Sequence, residues 1–319
     1  MNEMGNKKSA SPSPLLRSDR LDGNTFDFVE KKGSLSTQVN RFLRSIGIVS
    51  FYRRSNGDSQ TLWRGQSCHF PISPSAHTRI LKGNIRSNDE LVIKYTTDLL
   101  KKARAFGFDR LDGARLPDLP LLALLQHNLV ATPLLDVTVD PLTALLMASQ
   151  GVAKAEDGVL LALEAPECSI DQFDDSDFES VYTKIINTGE IFRYKAPYVT
   201  SRLRIQRGSF LIGPVRDDAT STIGLGSASP EDGKDRLKKL VGDTISEKRG
   251  RRIELLEEPL LINVPSKYKE EVDLWIRTKA ELSDIYIYPE PISSRFAVEF
   301  LPENGRNSPW KLGVDGLGG

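Results

Sequence analysis

The segment LWRGQ, Leu62 to Gln66, brings an arginine to the end of an apolar approach with no acidic neighbour to pair it. A guanidinium is a planar fork of donors that matches phosphate or carboxylate oxygens two at a time. An unpartnered Arg64 therefore predicts an anion that arrives with a ligand; a surface arginine, or one serving backbone carbonyls, has the same local signature. His127 ends the apolar run LPLLALLQH and is a candidate acid or base, because an imidazole ordinarily titrates near neutrality. A hydrogen-bonded structural histidine fits the same position. Asp136 lies among apolar residues in TPLLDVT, as a reactive carboxylate or as an acceptor for nearby backbone amides.

Arg193, Arg202, Arg204 and Arg207 cluster with Phe192, Tyr194 and Tyr198, an interleaving that suits stacked single-stranded nucleic acid. A second basic run holds Lys248, Arg249, Arg251 and Arg252; such runs also form plain solvated faces. The 43 basic and 43 acidic residues cancel, so no global field draws the protein to nucleic acid or to an anionic membrane. Cys68, Cys168 and the three histidines lack metal-ligand spacing, which predicts no metal site and free thiols. No apolar run reaches the ~20 residues of a membrane span, and the N-terminus has no signal-peptide core. A soluble, cytoplasmic protein is expected.

These residues need elements to position them. Residues 1–33 mix charge, Ser, Gly and Pro without a period and read as a flexible leader. One domain is expected over 34–300, with a tail at 301–319. Val39, Phe42, Leu43 and Ile46 have helical spacing ending at Gly47, and IVSFYRR then reads as a strand. Thr61 to Gly65 is a short strand and 88–107 a helix capped by Asn88 or Asp89. LPLLALLQHNL reads as a buried helix, TPLLDVT as a strand, and DPLTALLMASQ as a helix with Asp140 as N-cap and Pro141 in its first turn. GVLLALEAP is a buried strand, and SRLRIQRGSFLIGPV one long strand or two broken at Gly208. A loop over 216–235 and a charged helix precede a strand at LLINV, a helix from Ser266 and an apolar stretch ending at Pro289. Strands and helices intersperse without strict alternation, which predicts an α+β fold.

Trp63, Arg64, Gly65 and Gln66, followed by Pro74, Ser75 and Arg79, resemble the opening of the FRG domain family. Gln126, His127, Thr132, Leu134, Leu135, Asp136, Thr138, Pro141, Leu142 and Ala144 resemble its second block, and Arg202, Gln206, Gly208 and Phe210 its third. Leu129, Ala131, Pro133 and Val137 stand where that family usually carries Gly, Pro, Arg and Trp. At the level of layout, LWRG, LLDVTVDPLTALLMAS and the segment around Gln206 also resemble ADP-ribosyltransferases of the Arg, Ser/Thr, Glu type.

That second resemblance implies a mixed, mostly antiparallel split sheet with flanking helices, and NAD as substrate with no metal. Arg64 would bind the diphosphate, with Gly65, Gln66, Arg79 and Thr132 lining the site, and Thr138 would support Arg64 or touch the nicotinamide ribose. Gln206 stands where a Glu is usual; its amide can orient the ribose but supplies no negative charge for an oxocarbenium-like transition state, so either catalysis is slow, or Asp136 or Glu190 provides that charge, or the fold binds without reacting. Thr138 can equally cap the helix at Asp140, and Gln206 and Gly208 can mark a β-bulge. The activity implied is that of an ADP-ribosylating toxin or anti-phage effector, acting on RNA, DNA or protein and restrained by a cognate antitoxin or inhibitor. A non-catalytic nucleotide- or nucleic-acid-binding module, and an NAD-independent nuclease-like toxin using His127 and Asp136, are the alternatives.

Overall fold

The computed structural model describes residues 34–55, 60–80, 88–150, 155–170, 177–197, 199–216, 221–225 and 259–282. In chain order these form α1 (Leu35–Ser55), β1 (Thr61–Gln66), α2 (Ser75–Ile80), α3 (Asp89–Ala105), the small hairpin β2 (Arg110–Leu111) and β3 (Ala114–Arg115), α4 (Asp118–His127) and β4 (Leu135–Thr138). There follow α5 (Pro141–Ser149), β5 (Gly158–Glu164), α6 (Phe178–Thr188), β6 (Phe192–Tyr194), α7 (Ser201–Ile205), β7 (Gly208–Ile212), β8 (Leu260–Val264) and α8 (Ser266–Lys279). The leader, the tail, the run 248–252 and the stretch ending at Pro289 lie outside the described residues.

Six strands make one sheet in the order β6-β7-β4-β1-β5-β8, every neighbouring pair antiparallel. This is the mixed architecture expected, with helices flanking a mostly antiparallel sheet. Alternate residues of the strands enter opposite cores, as the two-residue period of a strand requires. Leu62, Val137, Val159, Leu161 and Leu261 join Ile72 and Ile223 on one face. On the other, Trp63, Leu160, Ala162 and Ile262 meet α1, α5 and α8, while Phe210, Ile212 and Tyr194 meet α3, α4 and α6. Burial on both faces explains why GVLLALE is a continuous apolar run rather than an alternating one.

Asp140 caps α5 as predicted, accepting from the N–H groups of Leu142 (3.1 Å) and Thr143 (3.3 Å), with Pro141 at the first helical position. Asn88 caps α3 through the Leu91 N–H, 3.3 Å. Two assignments are corrected. IVSFYRR is not a strand: α1 runs through Gly47 to Ser55. Gly47 has open space around it, and the packing of Val39, Phe42 and Ile46 on α8 outweighs its weak helix propensity. SRLRI is a helical turn rather than a strand, because Thr200 caps it through the Leu203 N–H at 3.2 Å, and the ladder begins only at Gly208. α6 has no counterpart among the expected elements, although Asp177 caps it and Phe178, Val181, Tyr182 and Ile185 share one buried face.

Leu129 follows the last turn of α4 with φ 63°, in the left-handed region. Its N–H returns to Gln126 O (3.1 Å) and closes the helix, the position where glycine is favoured because it has no Cβ to clash. Leu129→Gly is expected to relieve roughly 1 kcal/mol of backbone strain, visible as a melting temperature higher by a few degrees. An unchanged or lower value would mean that contacts of the leucine side chain outweigh the strain.

Candidate functional site

β1 and β4 are joined through the pair Trp63 and Thr138. Val139 gives its N–H to Arg207 O at 3.3 Å, so it addresses β7. Successive residues of an antiparallel strand alternate in the neighbour they address, and Asp136 and Thr138 therefore turn their backbone groups toward β1. A continued ladder would set Asp136 against Gly65. Instead the Asp136 carbonyl accepts from Arg64 Nη1 at 2.9 Å. A side-chain donor replaces the ladder bond, and the sheet parts at this point.

Around the opening the two sequence blocks converge. Arg64 Nε donates to Gln66 Oε1 (3.3 Å), and Gln66 Nε2 to Phe70 O (2.9 Å). Gln126 Nε2 donates to Asp136 Oδ2 at 2.6 Å. Gln126 Oε1 accepts from Thr132 Oγ1 (2.7 Å) and Ser75 Oγ (3.3 Å), while the Thr132 N–H returns to Ser75 Oγ at 3.1 Å. With its carbonyl held by two hydroxyls, the Gln126 amide has one orientation, and its NH2 must meet the carboxylate. Ser75 opens α2, Gln126 lies in the last turn of α4, Thr132 lies in the loop before β4 and Asp136 on β4, so residues far apart in sequence form one polar hub.

Arg64 is half-buried; burial lowers its pKa and the Asp136 charge opposes this. Arg79, also half-buried, lies beside Tyr95, whose hydroxyl donates to Ala131 O at 2.9 Å next to Thr132. Burial pushes the Tyr95 phenol up to about 12, against the pull of Arg79. Neither Arg64 nor Arg79 has a carboxylate within ion-pair distance among the described residues, and Asp136 acts on Arg64 only from beyond it.

His127 Nδ1 lies 3.0 Å from Thr200 Oγ1, which already accepts the Leu203 N–H. The Thr200 hydroxyl proton is then available to Nδ1, which leaves the imidazole proton on Nε2. The ring packs edge-on against Phe210, with centroids 5.9 Å apart. Burial, reinforced by Arg202 and opposed by Asp136, lowers the pKa of His127 to about 4. It is neutral at pH 7, so it suits hydrogen-bond donation from Nε2 better than acid catalysis.

Buried His77 donates or accepts at Nδ1 with Thr222 Oγ1 (2.9 Å), and desolvation lowers its pKa to about 3. Both histidines titrate lower in the folded chain than in the unfolded one, near 6.5. Below pH 6.5 the unfolded state takes up protons that the folded state refuses, so stability falls with pH until the folded values are reached. Urea denaturation should show a loss from His77 that sets in below about pH 6.5 and approaches ~1.4 kcal/mol per unit toward pH 4, and His77→Gln should remove that share. An unchanged slope in His77→Gln would refute the assignment.

Other candidates fall elsewhere. Thr138 Oγ1 donates to Gln206 O (2.6 Å) and accepts the Asp140 N–H (2.9 Å), so its hydroxyl links β4 to the α7 turn and to the start of α5. Gln206 is buried where α7 ends rather than on a strand, and Arg207 beside it has φ 49°. Glu190 is exposed before β6, at the far edge of the sheet from β1, which leaves Asp136 as the carboxylate at the opening. Gly65 turns its α-carbon against the backbone of α5. Arg193 is buried, with Nε on Ser209 Oγ (3.2 Å) and Nη1 on Gln60 Oε1 (2.7 Å). Phe192 and Tyr194 are core residues, so they offer no surface for stacking bases. Arg204 and Arg207 are exposed, and Arg202 is half-buried with Nη1 on His127 O at 3.3 Å.

Among the described residues no group of His, Cys, Asp or Glu is placed to hold a metal ion, and no helix is long and apolar enough to cross a membrane. No curated protein and no solved structure matches the chain. Residues 59–157 match the FRG domain, a span that runs from the approach to β1 to the start of β5 and contains Arg64, Gln66, Ser75, Arg79, Gln126, His127, Thr132 and Asp136. The residues that meet where the sheet parts lie within the span that matches the FRG domain.

Proposed function

We propose that the opening between β1 and β4 binds NAD and that the protein is an ADP-ribosyltransferase-like enzyme. The observation that carries this reading is the Arg64 guanidinium, which replaces a ladder bond at the parting of the sheet beside an oriented carboxylate. Two of its five N–H donors are used within the described residues. The rest suit a diphosphate, with Arg79 as a second cation.

Asp136 then takes the electrostatic role that Gln206 cannot fill. As the bond from the ribose C1′ to nicotinamide breaks, the leaving ring takes the electron pair and positive charge builds on the sugar. A carboxylate held by Gln126 stabilises that charge without reorganising. The acceptor nucleophile attacks C1′ and releases a proton. Exposed Arg204 and Arg207 suit an acidic acceptor such as RNA or DNA, and a protein side chain is the other acceptor class. An activity of this kind harms the cell that makes it, in keeping with a toxin or anti-phage effector held by an antitoxin or inhibitor.

The test is release of nicotinamide from NAD by the purified chain, with and without RNA, DNA and cell protein. Absence of both NAD binding and nicotinamide release would remove the proposal, and RNA cleavage without NAD would replace it with a nuclease.

A further inference from the structure

Five large hydrophobic side chains are exposed among the described residues, and Phe70 is one of them at 44%. Its surroundings show that this is not slack packing. The loop from Ser67 to Ile72 is fastened at almost every residue. Ser67 O accepts from Lys269 Nζ at 2.7 Å, and that lysine is almost wholly buried. Cys68 is buried. His69 Nε2 lies 2.9 Å from Gly158 O and 2.8 Å from Asn263 Oδ1, both acceptors, so Nε2 carries a proton and donates to them. Asn263 in turn gives Nδ2 to Asp157 Oδ2 (3.1 Å), and Asp157 Oδ1 receives the Ser266 N–H at 2.7 Å. Ile72 is fully buried and bridges to Ser221.

A buried lysine, a buried histidine and their partners thus hold one short loop, far more polar machinery than a surface connection needs. The loop turns Cys68, His69 and Ile72 inward, while Phe70 stays exposed. Gln66, which binds Arg64 at one end of its amide, binds the Phe70 carbonyl at the other. The Phe70 backbone is therefore tied through a single glutamine side chain to the candidate diphosphate-binding arginine. An exposed aromatic ring on a preorganised loop beside an anion-binding arginine suits a ligand that joins a phosphate to a flat heterocycle.

We infer that Phe70 is the stacking platform for one of the two heterocycles of the dinucleotide whose diphosphate Arg64 binds. The inference rests on the NAD-binding reading above and adds to it the residue that contributes affinity without touching the bond that breaks. Stacking on an aromatic side chain is worth enough for its removal to weaken binding by roughly 5- to 100-fold.

Calorimetric titration of the full chain with NAD, ADP-ribose and nicotinamide mononucleotide tests this, on wild type, Phe70→Ala and Phe70→Trp. Because the ring is exposed, both variants should melt as wild type does. Phe70→Ala should bind NAD at least 5-fold more weakly. Phe70→Trp should bind like wild type, with NAD quenching the new indole. Selective weakening of ADP-ribose places adenine on the ring, and selective weakening of the mononucleotide places nicotinamide there. Wild type that binds NAD while Phe70→Ala binds equally well would overturn the role of Phe70 and leave the site reading standing. Wild type that binds no NAD would overturn both. Indole quenching by single-stranded oligonucleotide but not by NAD would assign Phe70 to nucleic acid instead.

Discussion

Gly65→Ala is expected to destabilise the protein by about 3 kcal/mol or more. A Cβ at this position would fall well inside contact distance of Ala144 O and 2.7 Å from Ala148 N, both backbone atoms of α5. Neither can swing aside as the end of a flexible side chain could. Neighbouring Gly158 meets Ala148 O in the same way, so α5 lies with its backbone almost on β1 and β5, and small residues on both sides permit this. Any side chain at 65 must lift the helix that Asp140 caps, along with Ala144, Leu145 and Ala148 in the core beside Trp63. Gly47→Ala is the internal control: open space surrounds Gly47 within α1, and alanine there should be neutral or stabilising by up to ~1 kcal/mol. Urea denaturation followed by circular dichroism distinguishes the two. If Gly65→Ala unfolded like wild type but lost NAD binding, the glycine would serve a ligand rather than the helix.

Much of this arrangement was readable in the chain because local signals and global fold agree. Asp140 and Pro141 mark the start of α5 by capping chemistry, and β5 and β8 announce themselves as largely apolar runs of strand length. Where local preference and tertiary context disagree, the reading fails. The β-branched and aromatic residues of IVSFYRR favour a strand, yet they continue a helix whose apolar face is already docked on α8. SRLRI alternates like a strand, but Thr200 starts a helical turn there. Phe192 and Tyr194 look like a base-stacking surface until the sheet turns them into the core. The hub itself was only half legible. Arg64 stood out for want of an acidic neighbour, whereas Gln126 and Ser75 were motif positions with no visible task. No short-range pattern reveals that Gln126 lies between two hydroxyls and a carboxylate, since the three partners come from α2, the loop before β4, and β4 itself.

Asp136→Asn is expected to cut nicotinamide release by about 100- to 1,000-fold, the range seen when one preorganised electrostatic group is removed from a transition state. The change is isosteric. Gln126 Nε2 can still donate to the new amide oxygen, Arg64 Nη1 bonds the backbone carbonyl that remains, and the fold should keep its melting temperature. Binding of NAD should stay within a few-fold of wild type, because the negative charge acts on positive charge that exists only as the glycosidic bond breaks. Arg64→Ala should show the opposite split: weak binding of NAD and ADP-ribose, since the lost guanidinium recognises the ground-state diphosphate. Arg64→Lys should recover part of the affinity, as an ammonium keeps the charge but not the two-point fork. Measuring affinity by calorimetry and turnover by nicotinamide release on the same preparations separates the two roles. If Asp136→Asn turned over NAD at the wild-type rate, Asp136 would be only an anchor for Gln126, and the source of negative charge would have to be sought outside the parting of β1 and β4.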